Sequence, residues 1–117
     1  MANEGILRNK SYDFALKIVT CVKGIRKNHK EYDLSRQLVR SGTAIGALIR
    51  EAEFGQSRAD FINKLSISLK EANETEYWLH LMKDSGFIQK DEFEILKDEC
   101  SQLIRMLVSS IKTARSK

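Results

Sequence analysis

The sequence predicts an all-α fold, a single antiparallel bundle of four helices. Three observations predict it. Four segments repeat apolar residues at about 100° per residue, the period of a helix with one buried face. The chain contains no proline, which long helices exclude and turn-rich sheet proteins use. The links between the segments are short and polar, and short links force neighbouring helices to run in opposite directions in an up-down-up-down order.

The first segment, about residues 10–30, places Phe14, Ala15, Ile18, Val22 and Ile25 on one face. Lys23, Arg26, Lys27 and Lys30 crowd its end, complementing the negative pole of the helix dipole, and His29 is placed to satisfy the last carbonyls. The second, about 34–54, buries Leu34, Leu38, Ile45, Leu48, Ile49 and Ala52, with Asp33 as the expected N-cap. Its centre, SGTAIGA, holds Gly42 and Gly46. Each costs a helix about 1 kcal/mol against alanine, which predicts a compensating close approach of a neighbouring helix.

Ser57 with Asp60 three residues on forms an imperfect capping box for the third segment, about 58–85. Phe61, Ile62, Leu65, Leu69, Ala72 and Leu79 make its stripe, and Gly86 followed by Phe87 predicts a Schellman ending. The fourth, about 90–114 with Gln89 as N-cap, carries the cleanest heptad: Phe93, Leu96, Cys100, Leu103, Leu107 and Ile111. One domain, residues 1–117, accounts for the whole sequence.

Composition narrows the function classes. Charged residues are 31% and apolar residues 42%, a globular balance with no run long enough to span a membrane. Cys21 and Cys100 are too few for a disulfide framework, and with no secretory leader pattern they point to reduced thiols in a cytoplasm. The net charge of +4 is unevenly placed, since the excess of basic residues falls within residues 1–32. His80 follows Glu76 by four residues, whereas di-metal bundles repeat Glu-x-x-His at a spacing of three, so a hydrogen-bonded pair is expected rather than a metal site. With no nucleophile–base pair and no phosphate-binding glycine loop, no enzyme, metal or cofactor is expected.

Two surface features remain. Ile67, Trp78 and Leu81 share a sector opposite the core stripe of the third helix, and Tyr12, Leu16 and Val19 lie off the stripe of the first. Exposed aromatics beside aliphatics mark interfaces, and two unlike patches can mate heterologously into a ring. The alternative is that a broad core wraps this far round. At one end of the bundle Arg8, Lys10, Lys112, Arg115 and Lys117 gather as a basic rim suited to phosphate backbones. A solvated, dipole-complementing surface accounts for the same residues. Arg40 with Glu76, and Glu51 with Arg58, are expected to form structural ion pairs at similar heights on adjacent helices.

The stretch Arg40 to Leu79, RSGTAIGALIREAEFGQSRADFINKLSISLKEANETEYWL, resembles the signature region of a bacterial family of four-helix bundle proteins. These are the products of intervening sequences in large-subunit ribosomal RNA genes, and they are similar to the accessory variability protein of diversity-generating retroelements. The likeness extends from YDFALKIV at Tyr12–Val19 to GFIQKDEF at Gly86–Phe93. It implies a homopentameric ring and, from the retroelement relative, a basic surface engaging nucleic acid and a reverse transcriptase. Leu48 departs from the family's asparagine, so a polar core contact there is absent. The resulting expectation is a non-enzymatic oligomeric bundle that binds RNA or DNA, or accompanies a reverse transcriptase. The alternative is a scaffold that assembles protein partners without nucleic acid.

Overall fold

The computed structural model describes residues 2–117, in four helices: α1 (Ala2–His29), α2 (Asp33–Glu53), α3 (Arg58–Asp84) and α4 (Lys90–Arg115). They lie side by side in a rod with extents of 47 × 21 × 19 Å. Contacts between neighbours run in opposite directions. Arg8 meets Glu53 while Ile18 faces Gly42, and Glu51 meets Lys64 while Ser41 meets Thr75. Cys100 reaches Ala72 while Phe93 faces His80, and α4 returns to α1 through Lys10–Gln102 and Lys17–Glu99.

The expected boundaries of α2, α3 and α4 agree to within a residue. The first helix begins well before residue 10, because Leu7 and Ser11 continue its buried stripe below Phe14. All six heptad positions of α4 are buried. On α2 and α3 the core stripes also hold, with Leu34, Leu48, Phe61, Ile62 and Leu69 only half-buried at the margins.

The ends of the helices explain why they stop where they do. Asp33 does not cap α2; Tyr32 holds the cap position without a side-chain bond, and the work passes to Glu31. Its carboxylate accepts the N–H groups of Leu34 at 3.1 Å and Ser35 at 2.8 Å. A glutamate one residue earlier reaches the same orphan donors that an aspartate cap would satisfy. Ser35 Oγ then donates to the Glu31 carbonyl and accepts from Arg26 Nε, tying the end of α1 to the start of α2. At α3, Ser57 Oγ accepts from the Asp60 N–H at 3.1 Å, while Asp60 accepts from Gln56 N–H at 3.4 Å in place of the box's usual donor. The α3 ending is a complete Schellman motif: Gly86, at φ 84°, and Phe87 donate to the carbonyls of Lys83 and Met82.

The small residues of SGTAIGA set the helix spacing. A Cβ on Gly42 would come within 2.9 Å of Ile18 Cγ2, and one on Gly46 within 3.2 Å of Ser11 Oγ. Both glycines therefore admit α1. The other flank of α2 meets α3 through buried hydroxyls. Ser68 Oγ donates to the Ile45 carbonyl at 2.9 Å, and Thr75 Oγ1 lies 2.9 Å from Ser41 Oγ. Side chains this short let backbones approach while leaving no buried hydroxyl unpaired.

Gly24, by contrast, has nothing within 4 Å of a built Cβ. Gly24→Ala is expected to raise stability by about 0.5–1 kcal/mol through helix propensity. Gly42→Ala gains the same propensity but overpacks against Ile18, and is expected to lose about 1 kcal/mol net. Urea denaturation of the two variants reads both signs; equal shifts would show that Gly42 is not held by contact.

Candidate nucleic-acid and subunit surfaces

The two histidines are taken up by ring contacts. His29 does not satisfy the last carbonyls of α1; the Lys30 N–H bonds to the Arg26 carbonyl, and the imidazole stands edge-on to Phe87 at 5.4 Å. His80 forms no hydrogen bond with Glu76. Its ring meets Phe93 at 4.9 Å, and Glu76 accepts from Ser101 Oγ at 3.4 Å across the α3–α4 seam. Among the described residues no group of three or more His, Cys, Asp and Glu could hold a metal. Burial, with Glu92 adding to it, pushes the Cys21 thiol up to about 12, and burial followed by the Glu76 charge does the same for Cys100. At neutral pH neither supplies the thiolate that nucleophilic chemistry needs.

Both expected ion pairs are replaced. Arg40 bonds to Glu71 at 3.2 Å and also to Glu74, not to Glu76. Glu76 lies about 140° round the helix from Glu71, on the flank toward α4. Glu51 pairs with Lys64 at 3.4 Å, because the α2–α3 register sets those two level and carries Arg58 farther down the rod. Arg58 instead donates to the Lys117 carbonyl, so it joins the basic end.

That end collects the starts of α1 and α3 with the finish of α2 and α4. Arg8 is held by Glu53 at 3.0 Å, and Lys10 Nζ donates to the neutral amide oxygen of Gln102 at 3.1 Å. The side chains of Lys112 and Arg115 have no hydrogen-bonding or ionic partner among the described residues. They flank an open recess of about 320 Å³ floored by Leu69, Val108 and Ile111. The five rim residues thus differ in kind: Arg8 is neutralised by a carboxylate, Lys10 is bound to an amide, Lys117 receives Arg58 on its carbonyl, and the side chains of Lys112 and Arg115 are unpaired among the described residues.

The apolar patches are less alike than their sequence positions suggest. Tyr12 and Leu16 are 60% and 51% exposed, with Val19 half-buried beside them. On α3, Ile67 is exposed at 37%, but Trp78 is half-buried against the core and its Nε1 donates to Glu74 at 3.2 Å. Trp78 is therefore not the exposed aromatic that the wheel predicts; Tyr77, packed edge-on against it at 5.0 Å, stands out to solvent instead. Leu81 is also half-buried.

One grouping was not legible from the separate helices. Tyr12 lines a groove of about 290 Å³ between α1 and α2, together with Arg8, Ala15, Thr43, Gly46, Ala47 and Arg50. Arg50 is exposed and unpaired among the described residues. The signal that finds this groove is the small-residue run, since Gly46 brings α2 onto Ser11 and leaves only the small side chains of Ala15 and Ala47 beside it.

The comparisons with known proteins can be set beside this geometry. No curated protein matches the chain. A solved structure from Bacteroides thetaiotaomicron VPI-5482, described as a protein with unknown function from the S23 ribosomal protein family, is similar to it at 47% identity. The match covers 94% of this chain and 98% of that one, with a TM-score of 0.92. Residues 4–109 match the family model described as 23S rRNA-intervening sequence protein. The chain belongs to the 23S rRNA-intervening sequence protein family.

Proposed function

We propose that this protein is a non-enzymatic, oligomeric helical bundle that binds nucleic acid through its basic end. The observation that carries the reading is the pair Lys112 and Arg115, free of partners among the described residues at the end where Arg58 also gathers. Cations left unpaired beside a recess retain their charge for a polyanion, whereas those in ion pairs have spent most of it. Nothing in the buried thiols or ring-packed histidines supports catalysis.

The functional unit in this proposal is a ring, five subunits being what the family resemblance implies. Tyr12, Leu16 and Val19 on α1 face one neighbour; Ile67, with Leu81 and the edge of Trp78, faces the other. Such a contact is heterologous and closes when the rotation allows. A ring repeats Lys112 and Arg115 around its axis, which multiplies a weak single-site attraction. Retroelement-like service to a reverse transcriptase would use the same rim.

Two outcomes check this. A mobility-shift titration with structured RNA and duplex DNA is expected to give dissociation constants below about 10 μM at low salt, weakening steeply as salt rises. Joint Lys112→Glu and Arg115→Glu reversal is expected to weaken binding at least several-fold. Salt-insensitive or absent binding would favour a scaffold without nucleic acid. For the ring, molar mass in solution should exceed one subunit and fall in Leu16→Asp or Ile67→Asp. Trp78→Asp is the poorer probe, since that side chain also packs on the core.

A further inference from the structure

The groove between α1 and α2 offers chemistry that the basic rim lacks. Its wall carries the Tyr12 ring, 60% exposed, with no hydrogen bond to its hydroxyl among the described residues. Its floor is Ala15, Gly46 and Ala47, too small to fill it. At its rim stand two guanidiniums. Arg50 is unpaired among the described residues, so it brings a full positive charge. Arg8 is fixed by Glu53 at 3.0 Å, so its charge is offset, but its remaining N–H groups are held in place as donors.

An exposed ring, an unfilled apolar floor and a free arginine on one edge match a planar heteroaromatic ring that carries an anion. We propose that this groove takes one nucleotide unit of a single-stranded nucleic acid, its base stacked on Tyr12 and its phosphate met by Arg50 with Arg8 donating beside it. Stacking tolerates any base, because each presents a π-face, and it needs an unpaired strand. Duplex nucleic acid keeps its bases inside and has access only to the free cations of the rim. The groove volume, about 290 Å³, is at the lower bound of small-ligand sites, in keeping with a single unit rather than a longer buried segment.

This inference rests on the nucleic-acid reading above and adds a preference to it: single strands over duplex, through an aromatic contact. It also moves Tyr12 from the subunit contact to the ligand, leaving Leu16 and Val19 to the neighbour. Among the described side chains, Glu53 is the one carboxylate that bonds to a residue lining the groove.

The test compares a fluorescent single-stranded RNA of about ten nucleotides with duplex DNA of equal length, bound to the full chain and to Tyr12→Ala, Tyr12→Phe and Arg50→Gln. Tyr12→Ala is expected to lose about tenfold or more in single-strand affinity while duplex affinity holds. Tyr12→Phe should keep the wild-type value, because stacking needs the ring and not the hydroxyl. Arg50→Gln should weaken single-strand binding and flatten its salt dependence. Equal single-strand binding by Tyr12→Ala would overturn this proposal and leave the basic-rim reading standing. A Tyr12→Ala protein with lower molar mass would overturn it by returning Tyr12 to the subunit contact. Binding of neither probe by the unmodified protein would overturn both readings together.

Discussion

Gly42 lies where α1 crosses α2, and no side chain fits between it and Ile18: a Cβ there would be 2.9 Å from Cγ2 and 3.0 Å from Cγ1. Both partners lie deep in the core, so neither moves aside without disturbing its own neighbours. This contact fixes the distance between the first two helices, and the rest of the bundle is referred to it. One turn on, Gly46 rests on the backbone of Ser11. On the far side of α2, hydroxyls of Ser41, Ser68 and Thr75 draw α3 in by hydrogen bonds that cross the seam or close on a nearby carbonyl. A helix with Gly42 and Gly46 on one flank, and Ser41 on the other facing the short Ser68 and Thr75 of α3, joins two neighbours at short range. Leucines at those positions would hold them apart.

The surface chemistry follows from that spacing. Where α1 and α2 approach, the residues above the contact are small, and a groove opens between Tyr12 and the two arginines. Where α3 and α4 meet through larger side chains, the seam ends in an apolar recess bounded by Lys112 and Arg115. Charge is distributed with the same economy. Arg40, Lys17 and Lys64 are drawn into pairs along the flanks, while the side chains of Lys112 and Arg115 near the end of α4 are unpaired among the described residues. In the proposed function, it is the position of these unpaired cations that meets a polyanion.

How much of this the sequence disclosed depended on whether a feature belonged to one helix or to two. The α4 heptad repeats without interruption, and its six residues are all buried, because the signal and the structure share one period. The Schellman ending at Gly86–Phe87 and the Ser57 cap are equally local. The start of α1 was missed since Gly5, Asn9 and Lys10 dilute a stripe that Leu7 and Ser11 nonetheless complete. Properties of pairs were harder. Arg40 pairs with Glu71 and Glu74 rather than Glu76, since height along the rod is readable from spacing but the flank a side chain leans toward depends on the partner helix. The wheel leaves Trp78 between an exposed patch and a core that wraps round to it, and a ring that large reaches the core from that flanking position. Of the proposed surfaces, the rim was visible as charge, and the α1–α2 groove was not, because Arg50 and Tyr12 become neighbours only through the glycine contact.

That contact is the claim on which the helix spacing and the groove depend, and a double-mutant cycle tests it directly. Stability would be measured for Gly42→Ala, Ile18→Ala and the combination. If the two residues hold the helices apart by touching, removing the isoleucine branches makes room for the added methyl. Gly42→Ala should then cost stability in the natural background and raise it in Ile18→Ala, a coupling of about 1–2 kcal/mol. Additive effects, equal within about 0.3–0.5 kcal/mol, would contradict the account.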